Sequence, residues 1–137
     1  GYRAWLRAGT EPAYPFGHGL GYTTWSIDGV SATPTVREGD AVIVTATVAN
    51  TGDRAGKHVV QVYASRAESA VDRPVRWLVG FAPVRLGAGE STEVSIEVPA
   101  RAFAHWDGSW QYESGTFTLH VGASVVDDAG TASLELE

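Results

Sequence analysis

The chain reads as all-β, a two-layer antiparallel sandwich of seven strands. Three observations carry that reading. From about residue 24 onward apolar residues recur with a period of two, the mark of half-buried strands. Clusters of Gly, Asp, Asn and Ser separate these runs at regular intervals. No window carries a sustained helical period, and at most "RAFAHW" (101–106) closes a single turn.

The elements follow in order. "TWSIDGVSA" (24–32) is a first, weaker strand carrying Trp25 and Ile27. In "DAVIVTATVAN" (40–50), Val42, Val44, Ala46 and Val48 share one face, with Thr45 and Thr47 on the other. "HVVQVYAS" (58–65) and "VRWLVGF" (75–81) are more uniformly apolar, which predicts strands buried on both sides or at a sheet centre. "STEVSIEV" (91–98) turns Val94, Ile96 and Val98 inward against Glu93, Ser95 and Glu97. "GTFTLHVG" (115–122) does the same with Phe117, Leu119 and Val121, and "TASLELE" (131–137) with Ala132, Leu134 and Leu136. "NTGDRAG", "RLGAGES", "WDGSW", "ESG" and "DDAG" supply the turns. Seven short strands so punctuated predict a sandwich. The absence of cysteine excludes the disulfide-pinned immunoglobulin form and leaves a fibronectin type III-like one.

Residues 1–23 differ. They have no period, they carry Pro12 and Pro15, and they contain Tyr2, Trp5, Tyr14, Phe16 and Tyr22. That is too aromatic for a disordered linker. The expectation is an extended segment that buries rings at an interdomain seam, followed by a sandwich domain over 24–137.

A chain of 137 residues is long enough for one domain with a core of its own. Its net charge of −6 argues against nucleic acid or an anionic membrane as a partner. Nine of the ten basic residues are arginine, which fits a GC-rich, bacterial genome. There is no methionine, so the chain is expected to be a piece of something longer. The single asparagine, Asn50, lies in no glycosylation acceptor and says nothing of compartment.

Catalytic machinery is not visible. The carboxylates fall in turns (Asp53, Asp107, Asp127, Asp128) or on polar strand faces (Glu93, Glu97, Glu135), where solvation is the ordinary fate. Asp127–Asp128 lacks the further oxygen ligands of a cation loop. His18, His58, His105 and His120 show no metal-ligand spacing. "GHGLG" lacks the strand and helix that flank a dinucleotide loop, and no G-x-S-x-G elbow occurs. No catalytic residue, metal or cofactor is therefore expected.

Four stretches in the right order carry a specific resemblance. "YPFGHGLGYTTW", "VTATVANTGDRAGKHVVQVYAS", "RPVRWLVGFAPVRLGAGESTEVSIEV" and "HWDGSWQYESGTFTLHVGAS" closely resemble the C-terminal fibronectin type III-like domain of family 3 glycoside hydrolases, which include β-glucosidases and β-xylosidases. The likeness runs over essentially the whole chain. It departs at Tyr14 and Gly21, where the family more often has phenylalanine and serine, and at "VVDDAG" after "VGAS". Such enzymes retain configuration, using a nucleophilic carboxylate and an acid/base carboxylate about 5 Å apart. The resemblance places these two groups in an upstream (β/α) barrel and an α/β sandwich domain. No position here matches either motif. It thus implies a non-catalytic module of a β-glucosidase-type enzyme that braces and orients those upstream domains and helps shape the rim of the active site.

The resemblance also places residues 13–25 at the seam with the α/β sandwich domain. Tyr14, Phe16, Leu20 and Tyr22 would supply apolar anchors there. His18 would hydrogen-bond backbone across the seam or, alternatively, sit at the rim of the parent enzyme's active site, and Arg3 would pair with an acidic group of the upstream domain. Pro15 and the glycines at 17, 19 and 21 permit close, extended backbone. Trp106, Trp110 and Tyr112 are expected to pack the end of the sandwich. The alternative is an exposed platform for polysaccharide, which would make the chain a carbohydrate- or surface-binding module.

Overall fold

The computed structural model describes all 137 residues. Seven long strands form the framework: β1 (Trp25–Ala32), β3 (Ala41–Asn50), β4 (Gly56–Ser65), β5 (Trp77–Leu86), β6 (Ser91–Pro99), β9 (Gly115–Gly122) and β10 (Gly130–Leu136). Three two-residue strands supplement them: β2 (Thr35–Val36), β7 (His105–Trp106) and β8 (Trp110–Gln111). One sheet runs β1-β3-β6 and the other β2-β10-β9-β4-β5. All pairings are antiparallel except β2 with β10.

The expected alternation places the core. Val42, Val44, Ala46 and Val48 of β3, with Val94, Ile96 and Val98 of β6, face Val60 and Val62, Phe117, Leu119 and Val121, and Leu134 and Leu136 of the larger sheet. Each apolar side chain so buried contributes on the order of 1.5–3 kcal/mol. Trp77 joins this core, its ring edge-on to Phe117 at 6.2 Å and its indole N–H donating to Ala102 O at 2.9 Å. "RAF" forms part of a 3₁₀ turn, Ala100–Phe103, that buries Phe103 against Phe117.

Two expectations are corrected. Residues 2–8 are helical: α1 spans Tyr2–Ala8 and ends at Gly9, whose φ of 61° lets its N–H close on Leu6 O. Two turns are too short to show a period, and the helix is held by what its side chains touch. The second correction concerns "VRWLVGF". β4 is central in its sheet, but β5 is an edge strand with Phe81 largely exposed. Its apolar run covers the outside of the sheet as well as the core.

Asn50 is fully buried where β3 turns towards β4. Its amide donates to Arg54 O at 2.8 Å and Leu86 O at 3.3 Å, and its Oδ1 accepts from Gly52 N–H and the Thr23 hydroxyl. A buried amide with every group satisfied fixes this corner and ties the N-terminal segment to it.

Candidate functional site

Successive residues of β4 point to opposite faces, so Val60, Val62 and Ala64 fill the core while Gln61, Tyr63 and Ser65 line the outside of the larger sheet. The N-terminal segment lies over this outer face as a strap. The Gln61 amide donates to Gly17 O at 3.1 Å and to Ala123 O at 2.7 Å, while its Oε1 accepts from the Tyr63 hydroxyl at 2.6 Å. Tyr2 stacks on Phe16 at 4.3 Å, and both rings meet Tyr63 edge-on at 6.5 Å. The Leu78 N–H donates to the Tyr2 hydroxyl, and the Val125 N–H donates to Phe16 O. Burial, and after it the nearby Tyr2, pushes the Tyr63 phenol up to about 12.

The strap is anchored by Tyr2, one side of Phe16 and the backbone of Gly17. Its other aromatic and aliphatic residues point away. Leu20 and Tyr22 are each 91% exposed and Tyr14 is 73% exposed. Trp5, Val59, Phe81 and Val126 are exposed as well. Between α1 and the strap runs a groove of about 470 Å³, lined mainly by Tyr2, Trp5, Leu6, Pro12, Tyr14 and Phe16. A second hollow, about 610 Å³, lies between Gly17–Gly21 and β4 residues His58, Val59 and Gln61.

His18 stacks on Tyr14 at 5.5 Å, and its main-chain N–H closes a turn on Pro15 O. Its imidazole makes no hydrogen bond within this chain. Arg3 lies against the Tyr2 ring at 5.8 Å and pairs with no carboxylate of this chain. The structure therefore carries Tyr14, Phe16, His18, Leu20 and Tyr22 on one strap, with Phe16 packed on Tyr2 and Tyr63 and the side-chain polar groups of Tyr14, His18 and Tyr22 making no hydrogen bond within the chain.

The aromatic cluster divides. Tyr112 packs against the core as expected. Trp106 and Trp110 do not: they face each other across the β7–β8 hairpin, T-shaped at 5.3 Å, and are 64% and 42% exposed. Two-residue strands that pair only with each other have no neighbouring layer in which to bury an indole. The Arg101 guanidinium lies over the Trp110 ring at 4.6 Å.

Two polar clusters escaped the sequence reading. In the first, Glu113 accepts from the Ser69 hydroxyl at 2.7 Å, Ala70 N–H at 2.6 Å and the Arg73 guanidinium at 3.2 Å, with Arg66 beside it at 3.5 Å. Arg66 and Arg73 also face the Phe117 ring and donate to backbone carbonyls of Glu113, Ser114 and Phe103. The Ser69 bond, then those from Ala70 and Arg73, outweigh burial and hold the Glu113 carboxyl at about 2. In the second, His120 bonds Ser65 Oγ at 2.7 Å and Asp128 Oδ1 at 3.1 Å, and Arg76 grips both Asp128 oxygens at 2.9 and 2.8 Å. Arg76 also donates to Val125 O, so the chain of bonds fixes the β9–β10 loop on which the strap rests. Burial, and next Arg76, push the His120 imidazole down. Asp127 is spent capping the Ala123 N–H, so the Asp127–Asp128 pair offers no free cation loop.

The sandwich and its strap define a fibronectin type III-like domain, and residues 58–125 match the family model of that description. A family 3 β-glucosidase of Bifidobacterium adolescentis superposes on 99% of this chain with a TM-score of 0.92 and 42% identity. A β-glucosidase of Streptomyces venezuelae bound to D-glucose superposes on 100% with the same score and 33% identity. In sequence, an exo-α-(1→6)-L-arabinopyranosidase of Bifidobacterium longum is 40% identical over the whole chain, and thermostable β-glucosidase B of Acetivibrio thermocellus is 38% identical over 93% of it. The chain is a fibronectin type III-like domain, similar over its whole length to part of family 3 β-glucosidases. It spans about 18% of the length of these curated relatives and about 20% of the first of the two solved structures.

Proposed function

We propose that the chain is a non-catalytic bracing module of a retaining family 3 glycoside hydrolase of the β-glucosidase type. Residues 1–23 form its seam, and the strap face docks on the upstream (β/α) barrel and α/β sandwich domains of the same polypeptide. The observation that carries this reading is the exposure of Leu20 and Tyr22 on a strap that is itself pinned by Gln61, Tyr63 and Phe16. A segment held this firmly while presenting bare apolar side chains is an interface half, since isolated domains rarely leave such contiguous apolar surface open. Tyr14, His18 and Arg3 add groups whose partners lie across that interface. The relatives support a scaffold role over sugar selection. Similar domains occur in a protein named for arabinopyranoside hydrolysis and in others named for glucosides, so the same kind of module accompanies enzymes named for different sugars.

Replacing Leu20 and Tyr22 together by Asp tests the reading. In the 137-residue chain the change leaves the unfolding temperature within about 2 °C, because exposed positions contribute little. In the full-length hydrolase it splits the unfolding transition and lowers kcat/KM about tenfold or more. An unaltered full-length enzyme would refute the docking assignment.

A further inference from the structure

We propose that the β7–β8 hairpin is a carbohydrate-binding site that stacks one glucopyranose unit of a β-linked glucan on Trp106. The assignment is independent of the strap face, since no hairpin residue lines either groove there.

The ring arrangement sets the kind of site. Trp106 and Trp110 stand at 77° to each other, so they cannot form a flat row under two successive sugars. Trp110 already carries Arg101 over its ring, whereas Trp106 is the more open of the two. One ring face is therefore offered, with a second indole forming a corner beside it.

The surroundings distinguish a sugar from a protein partner. Apart from the two indoles, the exposed side chains of the segment 101–111 are those of Arg101, Asp107, Ser109 and Gln111, and none is aliphatic. A protein-docking core surrounds its aromatic anchor with further apolar contacts. A pyranose instead presents a flat C–H face edged by hydroxyls, which call for an indole flanked by planar guanidinium, carboxylate and amide groups. Glucose fits best, because its equatorial hydroxyls leave both faces flat, whereas an axial hydroxyl obstructs one face and halves the ways the ring can be laid on the indole. The hairpin is also preorganised. Asp107 N–H bonds Ser109 O at 3.0 Å, Gln111 bonds the Ser109 hydroxyl at 2.7 Å, Gly108 takes a φ of 72°, and Tyr112 is seated in the core directly after. Little ordering is left for the ligand to impose.

Titration of the 137-residue chain with cellotetraose, following tryptophan fluorescence and amide shifts together, tests the site. The expected result is saturable binding in the millimolar range with shifts confined to residues 101–112. Trp106→Ala should weaken it by about tenfold or more and Trp106→Phe should restore part of the loss. A β-1,4-linked galactotetraose, whose axial O4 linkage leaves only one flat face per ring, should bind more weakly than cellotetraose. Trp106 is exposed, so amide shifts elsewhere should report an unaltered fold in both variants. Absence of saturable change with cellotetraose would overturn the assignment, as would binding that survives Trp106→Ala or shifts that map to the strap.

Discussion

Gly17 concentrates the logic of the strap in one position. Its φ is 86°, and a Cβ there would collide with the Gln61 amide that the Gly17 carbonyl itself receives. Both the backbone conformation and the close approach therefore require glycine. Gly17→Ala should destabilise the chain by about 1–3 kcal/mol in urea unfolding, as the strap lifts from Gln61 and Tyr63. Gly19→Ala, where a Cβ meets nothing within 4 Å, should fall within about 0.5 kcal/mol. Equal effects would remove Gly17 from its anchoring role. The glycine-permitted backbone expected at residues 17, 19 and 21 is found at Gly17 alone, since Gly19 and Gly21 have no positive φ and a Cβ there would meet nothing within 4 Å. That Gln61 was the group receiving Gly17 was not legible from the sequence, because a glutamine inside an apolar run gives no sign of which carbonyl, 44 residues away, it will meet.

Among the elements, the strands with clean alternation were the legible ones. β3, β6 and β10 each bury one face, so their period reports their burial directly, whereas β9 also buries His120 on its outer side. β5 misled because its outward residues are also apolar, and a run without alternation looks alike whether it is covered on both sides or left bare on one. α1 went unread because seven residues without a side-chain cap hold their shape through Tyr2 on Phe16 and Arg7 on Asp72, both tertiary contacts. The long β4–β5 loop was unreadable for the same reason. It is pinned by Glu113, more than 40 residues from Arg66, Ser69 and Ala70. Glu113→Gln would leave Arg66 and Arg73 nearly buried without their carboxylate, and should lower stability by roughly 2 kcal/mol at pH 7. The folded-state pKa of about 2 lies below the ordinary 4.5, so the ionised carboxylate stabilises fully above pH 4.5 and loses that contribution as pH falls towards 2. The gap between wild type and Glu113→Gln in denaturant unfolding should therefore narrow on acidification. A gap independent of pH would show that the charge is not what holds the loop.

The whole molecule is asymmetric. The outer face of β1-β3-β6 is set with Asp28, Ser31, Thr45, Thr47, Glu93, Ser95 and Glu97, and exposes Ile43 as its one large apolar side chain. The opposite face carries the strap, α1, Phe81 and the apolar grooves. One side is finished towards water and the other leaves apolar side chains bare, the asymmetry on which the docking proposal rests. The hairpin with Trp106 and Trp110 belongs to neither face, and its exposure is a separate feature of the sandwich end. Hydroxyl-radical footprinting measures side-chain exposure directly, and it should be run on the full-length hydrolase and on the 137-residue chain in parallel. The docking account predicts strong protection of Tyr14, Leu20 and Tyr22 in the full-length protein, with Ile43 labelled equally in both. Equal labelling of the strap in the two proteins would contradict it.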